Sequence, residues 1–177
     1  KISENKISSE KLTVFGNLPY NISTEILSKW VVNINKNFWF ESLVLMFQKE
    51  VAERIIAEFN TSKYGRLSIL SNWKLNIKKI MDIKPQSFSP RPKIDSTLLL
   101  FTPRENFFEL KDAKNLEILT RVFFSQRRKM LKKPFNQIFK NAKEVSEKFN
   151  IDLNLRPQNL KAEMYFKLVK EYESLRR

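Results

Sequence analysis

Two hydrophobic periods alternate along the first hundred residues of the chain, and only one persists after them. Leu12 to Phe15 reads as a short apolar strand, and a helical stripe of Ile26, Leu27, Trp30 and Val31 follows it, with Ser23 or Thr24 placed to cap the helix. Ser42 to Gln48 encloses a continuous apolar run of strand length, which passes into a second helical stripe of Val51, Ala52, Ile55 and Ile56. Tyr64-Gly65-Arg66 punctuates the chain before a helix carrying Leu67, Leu70 and Trp73, and Ile77 to Ile83 reads as a further strand. Lys84 to Pro92 contains Pro85, Pro90 and Pro92 and so excludes regular structure, while Thr97 to Thr102 is a β-rich run ended by Pro103. This alternation predicts an α/β fold, with a mostly parallel sheet covered on both faces.

Beyond Glu105 the strand signals stop. Leu116, Leu119, Val122 and Phe123 form one helical face, Val145 and Phe149 a second, and Tyr165, Leu168, Val169 and Tyr172 a third. The expected organisation is an α/β unit over residues 1–105 and a small all-helical unit over 106–177, with the boundary between Pro103 and Asp112. No internal repeat stands out.

Composition removes several kinds of chemistry. With no cysteine and no histidine among the 177 residues, there is no thiolate or imidazole to act as nucleophile, base or metal ligand. A catalytic triad or a zinc centre is therefore not expected, and no metal is called for. The formal charge of +14, from 33 Lys and Arg against 19 Asp and Glu, points to a polyanionic partner. Nucleic acid suits it better than an anionic membrane, because the cations are spread through core-forming segments instead of lying on one terminal amphipathic helix. There is no run of about 18 apolar residues, and Lys1 to Lys11 is too polar for the core of a secretory signal, so a cytoplasmic location is expected. The only glycines are Gly16 and Gly65, too few for a phosphate-cradling loop. If a nucleotide-like cofactor is used, most of its cradle has to come from other residues.

The stretch Val14-Phe15-Gly16-Asn17-Leu18-Pro19-Tyr20-Asn21-Ile22-Ser23 carries the most specific chemistry. A strand empties into a loop bearing an amide, a proline and an aromatic ring, which together offer acceptors and a flat surface to a planar base with an exocyclic amine. The Asn17 side-chain oxygen and the Leu18 or Pro19 carbonyl are candidate acceptors, and Tyr20 is a candidate stacking ring. Taken alone, the same residues could simply shape a strand-to-helix turn.

Five blocks in order decide between these readings. Phe15 to Ser23, Gln48-Lys49-Glu50-Val51, Tyr64-Gly65-Arg66-Leu67-Ser68, Phe88-Ser89-Pro90-Arg91-Pro92-Lys93-Ile94-Asp95-Ser96 and Phe124-Ser125-Gln126-Arg127-Arg128-Lys129 resemble the KsgA-type rRNA adenine dimethyltransferases over nearly the whole chain. The resemblance implies transfer of methyl groups from S-adenosylmethionine to the exocyclic amines of two adjacent adenines near the 3′ end of small-subunit rRNA, with a role in small-subunit biogenesis. It implies a catalytic loop of Asn17, Leu18, Pro19 and Tyr20, with Asn17 also touching the cofactor. Phe88 would close the second face of the target base, or else plug the core.

The family's upstream features, a glutamine-asparagine-phenylalanine segment, a glycine-rich loop and acidic contacts to the cofactor, are not in this sequence. The expected fold is therefore the C-terminal portion of a Rossmann-like S-adenosylmethionine-dependent methyltransferase sheet, plus a small all-helical C-terminal domain. Its cofactor site would be incomplete, with weak binding and no turnover by the chain alone, and self-association of the shortened sheet is an expected consequence. The implied partner is small-subunit rRNA or a pre-ribosomal particle. Arg91 and Lys93 beside the stacking loop are candidate RNA contacts. So are Arg121, Arg127, Arg128, Lys129, Lys132 and Lys133, which as one helix would spread over much of its circumference with no acid among them. Arg66 reads as structural, and Asp95 and Glu50 as capping or ion-pairing groups. Two other functions stay open: a noncatalytic rRNA-binding assembly factor of the same fold, and a large-subunit rRNA adenine methyltransferase that confers antibiotic resistance.

Overall fold

The structure, a computed structural model, describes residues 11–34 and 38–176. The polar amino-terminal stretch before Lys11 lies outside the described residues. Four strands, β1 (Leu12–Asn17), β2 (Phe40–Gln48), β3 (Leu75–Ile83) and β4 (Ser96–Pro103), form one sheet in the order β1-β2-β4-β3. Helix α1 (Ser23–Asn33) joins β1 to β2, and α2 (Lys49–Ile55) and α3 (Arg66–Lys74) join β2 to β3. Helices α4 (Ala113–Ser125), α5 (Lys132–Ile138), α6 (Ala142–Lys148) and α7 (Ala162–Ser174) follow.

The sheet is mixed, which corrects the expectation of a mostly parallel one. Only β1 and β2 run parallel, joined by the α1 crossover, while β4 is antiparallel to both β2 and β3. The reason lies in the connection from β3 to β4. A parallel pair needs a crossover long enough to return the chain, usually a helix. Residues 84–95 carry three prolines and form nothing more regular than the 3-10 turn Pro85–Ser87, so β4 must reverse. Coverage of both faces holds only in the centre: Leu43 to Phe47 of β2 are buried in succession, whereas Phe15 on β1 is 77% exposed and Lys78 to Met81 on β3 are exposed.

Two local expectations also change. Ser23 does not cap α1 from outside; it sits buried in the first turn, with Ile22 at the cap position, and its hydroxyl donates to the Tyr20 carbonyl at 3.2 Å. Nor do Arg121 to Lys133 form one helix. α4 stops at Ser125, Gln126 to Leu131 turn back, and the Leu131 and Lys132 amides donate to the carbonyls of Leu155 and Leu153 at 2.8 and 3.1 Å instead of to helical partners. A straight helix would set Arg128 against Lys132 and Lys129 against Lys133 at the i, i+4 spacing, where like charges repel.

Buried residues form one continuous apolar core from Leu27 on α1, through Phe47 and Phe101 in the sheet, to Phe123, Tyr165 and Val169 in the helical part. Three polar ties accompany it. The Trp73 indole donates to the Phe108 carbonyl at 2.7 Å, which holds the segment after β4 against α3. The Glu173 carboxylate on α7 accepts the amides of Lys111 and Asp112 at 3.0 and 3.1 Å and the Asn115 side chain at 3.0 Å, fixing the entry to α4. Asp112 then caps α4 by accepting the Lys114 amide at 2.9 Å.

The third tie is a buried cation. Lys74, 5% exposed, donates to the carbonyls of Ile34 and Val32 at 2.6 and 3.3 Å, the carbonyl end of α1, and lies 4.0 Å from the Trp73 ring centroid. Carbonyls and ring favour the charged amine, but burial outweighs them and pushes its pKa down to about 8. Between about 8 and the ordinary 10.5, the unfolded chain binds this proton and the folded chain does not. Stability therefore rises with pH across that window by up to ~3 kcal/mol from this group. Urea denaturation from pH 7.5 to 10.5 is expected to show a rise in wild type relative to Lys74→Met, and parallel pH profiles for the two proteins would refute it.

Candidate active site and nucleic-acid surface

The loop after β1 stands at one edge of the sheet, and four strand ends meet there. Asn17 closes β1 opposite Met46, Gln48 closes β2 opposite Ser96, and Ser96 opens β4 opposite Ile83, the last residue of β3. Ligand sites in α/β folds favour the carboxyl ends of parallel strands, and this edge is that end for β1 and β2.

Within the loop the acceptors separate. The Pro19 carbonyl accepts the Ile22 amide at 3.1 Å, and the Tyr20 carbonyl accepts the Ser23 hydroxyl. The Leu18 carbonyl and the exposed Asn17 side chain make no hydrogen bond among the described residues. Of the two backbone acceptors named from sequence, Leu18 is thus the one left to a ligand. Tyr20 is half-buried, and its hydroxyl shares a hydrogen bond of 2.6 Å with the fully buried Ser96 hydroxyl, which anchors the ring to β4.

Phe88 lies half-buried in the loop from β3 to β4, whose two ends are pinned by an ion pair of 2.7 Å between Lys84 and Asp95. The Asp95 carbonyl also accepts the Lys49 amide at 2.9 Å, so this loop and the start of α2 share one anchor. Arg91 and Lys93 are exposed on the same loop. Below it, Asp82 takes bonds from Lys79 at 2.9 Å and Thr97 at 2.7 Å and pairs with Lys49 at 3.3 Å; the first two, then Lys49, hold its carboxyl far below the usual range. Asp95 is an ion-pairing group as expected, and Glu50 lies in the first turn of α2.

Gly16 approaches the sheet too closely for a side chain. An added Cβ would stand 2.8 Å from Leu45 Cδ2, so that space is filled by the core. At Gly65 an added Cβ would meet Phe124 at 3.8 Å. Neither glycine therefore leaves an open space that a ligand would fill, and Asn17 stands at the carboxyl end of β1.

The basic residues assemble elsewhere. Arg128, Lys129, Lys132, Lys133 and Arg156 line a cavity of about 790 Å³ together with Met130, Asn136 and Asn154, and no acid joins them. These five side chains have no acidic partner among the described residues. Arg121 is exposed on α4, whereas Arg127 is half-buried and hydrogen-bonded. Sequence reasoning missed Ser96 as the partner of Tyr20, although the residue closes one of the five blocks, and missed Arg156, which stands outside any charge run.

A family model for ribosomal RNA adenine dimethylase matches residues 2–174. The chain belongs to the ribosomal RNA adenine dimethylase family. It is 80% identical to ribosomal RNA small subunit methyltransferase A of Pelagibacter ubique (strain HTCC1062), over 99% of this chain and 67% of that relative. The small subunit methyltransferase A of the Wolbachia strain wRi is 42% identical, over 98% of this chain and 63% of the relative. The chain thus spans about two thirds or less of the relatives it matches. Among solved structures, a dimethyladenosine transferase from Plasmodium falciparum matches with a TM-score of 0.74 at 27% identity, covering 96% of this chain and 70% of that one. The 23S rRNA methyltransferase ErmE shares the fold at 16% identity, with a TM-score of 0.62 over 96% of this chain and 68% of its own. The mixed α/β sheet described above thus belongs to the fold this chain shares with both structures.

Because Leu45 is fully buried, Gly16→Ala is expected to force either Leu45 or β1 to move. The cost of such overpacking is about 1–3 kcal/mol. Chemical denaturation measures it, and an alanine variant as stable as wild type would show that the strand end yields freely.

Proposed function

We propose that the chain is the larger part of an enzyme that transfers methyl groups from S-adenosylmethionine to the exocyclic amines of two adjacent adenines near the 3′ end of small-subunit rRNA, acting in the cytoplasm on the assembling subunit. The observation that carries the reading is the loop at the sheet edge, where Asn17 and the Leu18 carbonyl are open acceptors beside a braced tyrosine. The 80% identity to a small subunit methyltransferase A supports it. In this reading residues 1–105 belong to the methyltransferase unit and 106–177 to an RNA-contacting helical unit.

S-adenosylmethionine, when bound, supplies the methyl group; its cradle is not among the described residues. What this chain contributes is the grip on the amine. The nitrogen lone pair of adenine is delocalised into the ring and a poor nucleophile. Two acceptors on its hydrogens, the Asn17 side-chain oxygen and the Leu18 carbonyl, orient the amine and favour pyramidalisation as the new bond forms. Tyr20 stacks on one face of the base and Phe88 on the other, each stack worth ~1–3 kcal/mol. No side-chain base is needed, because the proton becomes acidic only once the amine turns cationic, and water can take it. Arg91, Lys93 and the cations of the basic cavity hold phosphates and set the register of the RNA. A noncatalytic assembly factor would have no use for the two open acceptors.

In the full-length enzyme, Asn17→Ala is expected to lower the single-turnover rate by about two orders of magnitude at saturating RNA, with RNA affinity nearly unchanged. A wild-type rate in that variant would remove Asn17 from the mechanism.

A further inference from the structure

Three neighbouring cations, Arg127, Arg128 and Lys129, look equivalent in sequence and differ in the fold. Arg128 and Lys129 are exposed in the turn after α4 and open onto the basic cavity. Arg127 is half-buried and does not line that cavity. Its Nε donates to the Gln158 side-chain oxygen at 3.1 Å and its Nη2 to the Thr61 carbonyl at 3.1 Å. Thr61 lies in the loop between α2 and α3, in the strand-bearing part of the chain, and Gln158 in the 3-10 turn Pro157–Asn159 that precedes α7.

Those two segments also hold each other. The Asn60 amide donates to the Gln158 carbonyl at 2.8 Å, the Asn159 side chain donates to the Asn60 side-chain oxygen at 2.6 Å, and the Lys161 ammonium sits 5.2 Å from the Phe59 ring centroid. Asn60 takes up a left-handed backbone, φ 68°, which asparagine tolerates better than most residues. Behind the turn, the Tyr165 hydroxyl is buried against the Pro157 carbonyl at 2.6 Å. The Arg127 guanidinium therefore joins the end of α4, the α2–α3 loop and the turn before α7. A planar fork with donors on different nitrogens can make both bonds, and an ammonium on a flexible stem reproduces that geometry poorly.

We propose that Arg127 is a positioning residue: it locks the basic turn Gln126–Leu131 to the strand-bearing part and so fixes where the phosphate-binding cations stand relative to the Asn17 loop. The inference rests on the RNA reading for the use of those cations, but the lock itself is a property of the fold. Arg127 then contributes to register through structure, and Arg128 to affinity through charge.

The test uses the full-length protein, an RNA hairpin with an adenine-containing loop, and two readouts: the log-log salt slope of RNA binding, and hydrogen exchange of the Asn60 amide. Arg128→Gln is expected to reduce the slope by roughly 0.7–0.9, as for one lost phosphate contact, and to leave Asn60 protection unchanged. Arg127→Met keeps the apolar stem, and is expected to leave the slope unchanged while exchange at Asn60 accelerates about tenfold or more. Arg127→Lys keeps the charge without the fork, and is expected to behave like Arg127→Met; it also serves if the methionine variant fails to fold. An Asn60 amide that exchanges at the wild-type rate in both variants overturns the proposal. So does a slope that falls in Arg127→Met and is restored by lysine. A slope unchanged in Arg128→Gln defeats the RNA reading of that cation, and faster exchange at Asn60 in the Arg127 variants would still support the lock.

Discussion

One short hydrogen bond organises the candidate site. The Tyr20 hydroxyl meets the Ser96 hydroxyl at 2.6 Å, and Ser96 is completely buried as the first residue of β4. β4 could not present Ser96 at this edge if it ran parallel to β2, because its first residue would then lie at the opposite end of the sheet. The antiparallel return forced by the proline-rich loop is thus what puts a hydroxyl beside the loop after β1. The same reversal places Phe88 and Tyr20 at one edge, since the loop carrying Phe88 ends where Ser96 begins.

Electrostatics divides the cations by their partners. Lys49, Lys79 and Lys84 are satisfied by Asp82 and Asp95 and rigidify the strand ends. Lys74 is spent inside, on the carbonyl end of α1. Arg127 is held by neutral acceptors. Five of the cations that have no acidic partner among the described residues, Arg128, Lys129, Lys132, Lys133 and Arg156, line one cavity, so the overall charge understates how concentrated the positive charge is there. Breaking the 121–133 stretch into helix, turn and helix is what lets these side chains converge, since a single helix would point them around its circumference.

Much of this is legible in the sequence, and the parts that are not share a cause. The strand β1, the loop after it and the buried run in β2 follow from local periodicity and turn chemistry, and the structure has them where the pattern puts them. The direction of β4 is implied by Pro85, Pro90 and Pro92, which leave no room for a crossover helix, yet the alternation of strands and helices by itself points to a parallel sheet. The α5 helix is hidden by its charges, although Leu131, Phe135 and Ile138 repeat at helical spacing. Partners distant in sequence are invisible: Ser96 to Tyr20, Gln158 to Arg127 and Glu173 to the amides before α4. Periodicity reports which face of an element is buried, and says nothing about which polar group waits there.

The most direct measurement of the central claim is a double-mutant cycle between Tyr20→Phe and Ser96→Ala in the full-length enzyme, read by single-turnover methyl transfer to rRNA. If the Ser96 bond holds the Tyr20 ring as the platform for the adenine, each single change slows the reaction and the double change slows it no further, giving a coupling of about 1 kcal/mol. Rates that simply multiply, or a Ser96→Ala enzyme as fast as wild type, would contradict the account.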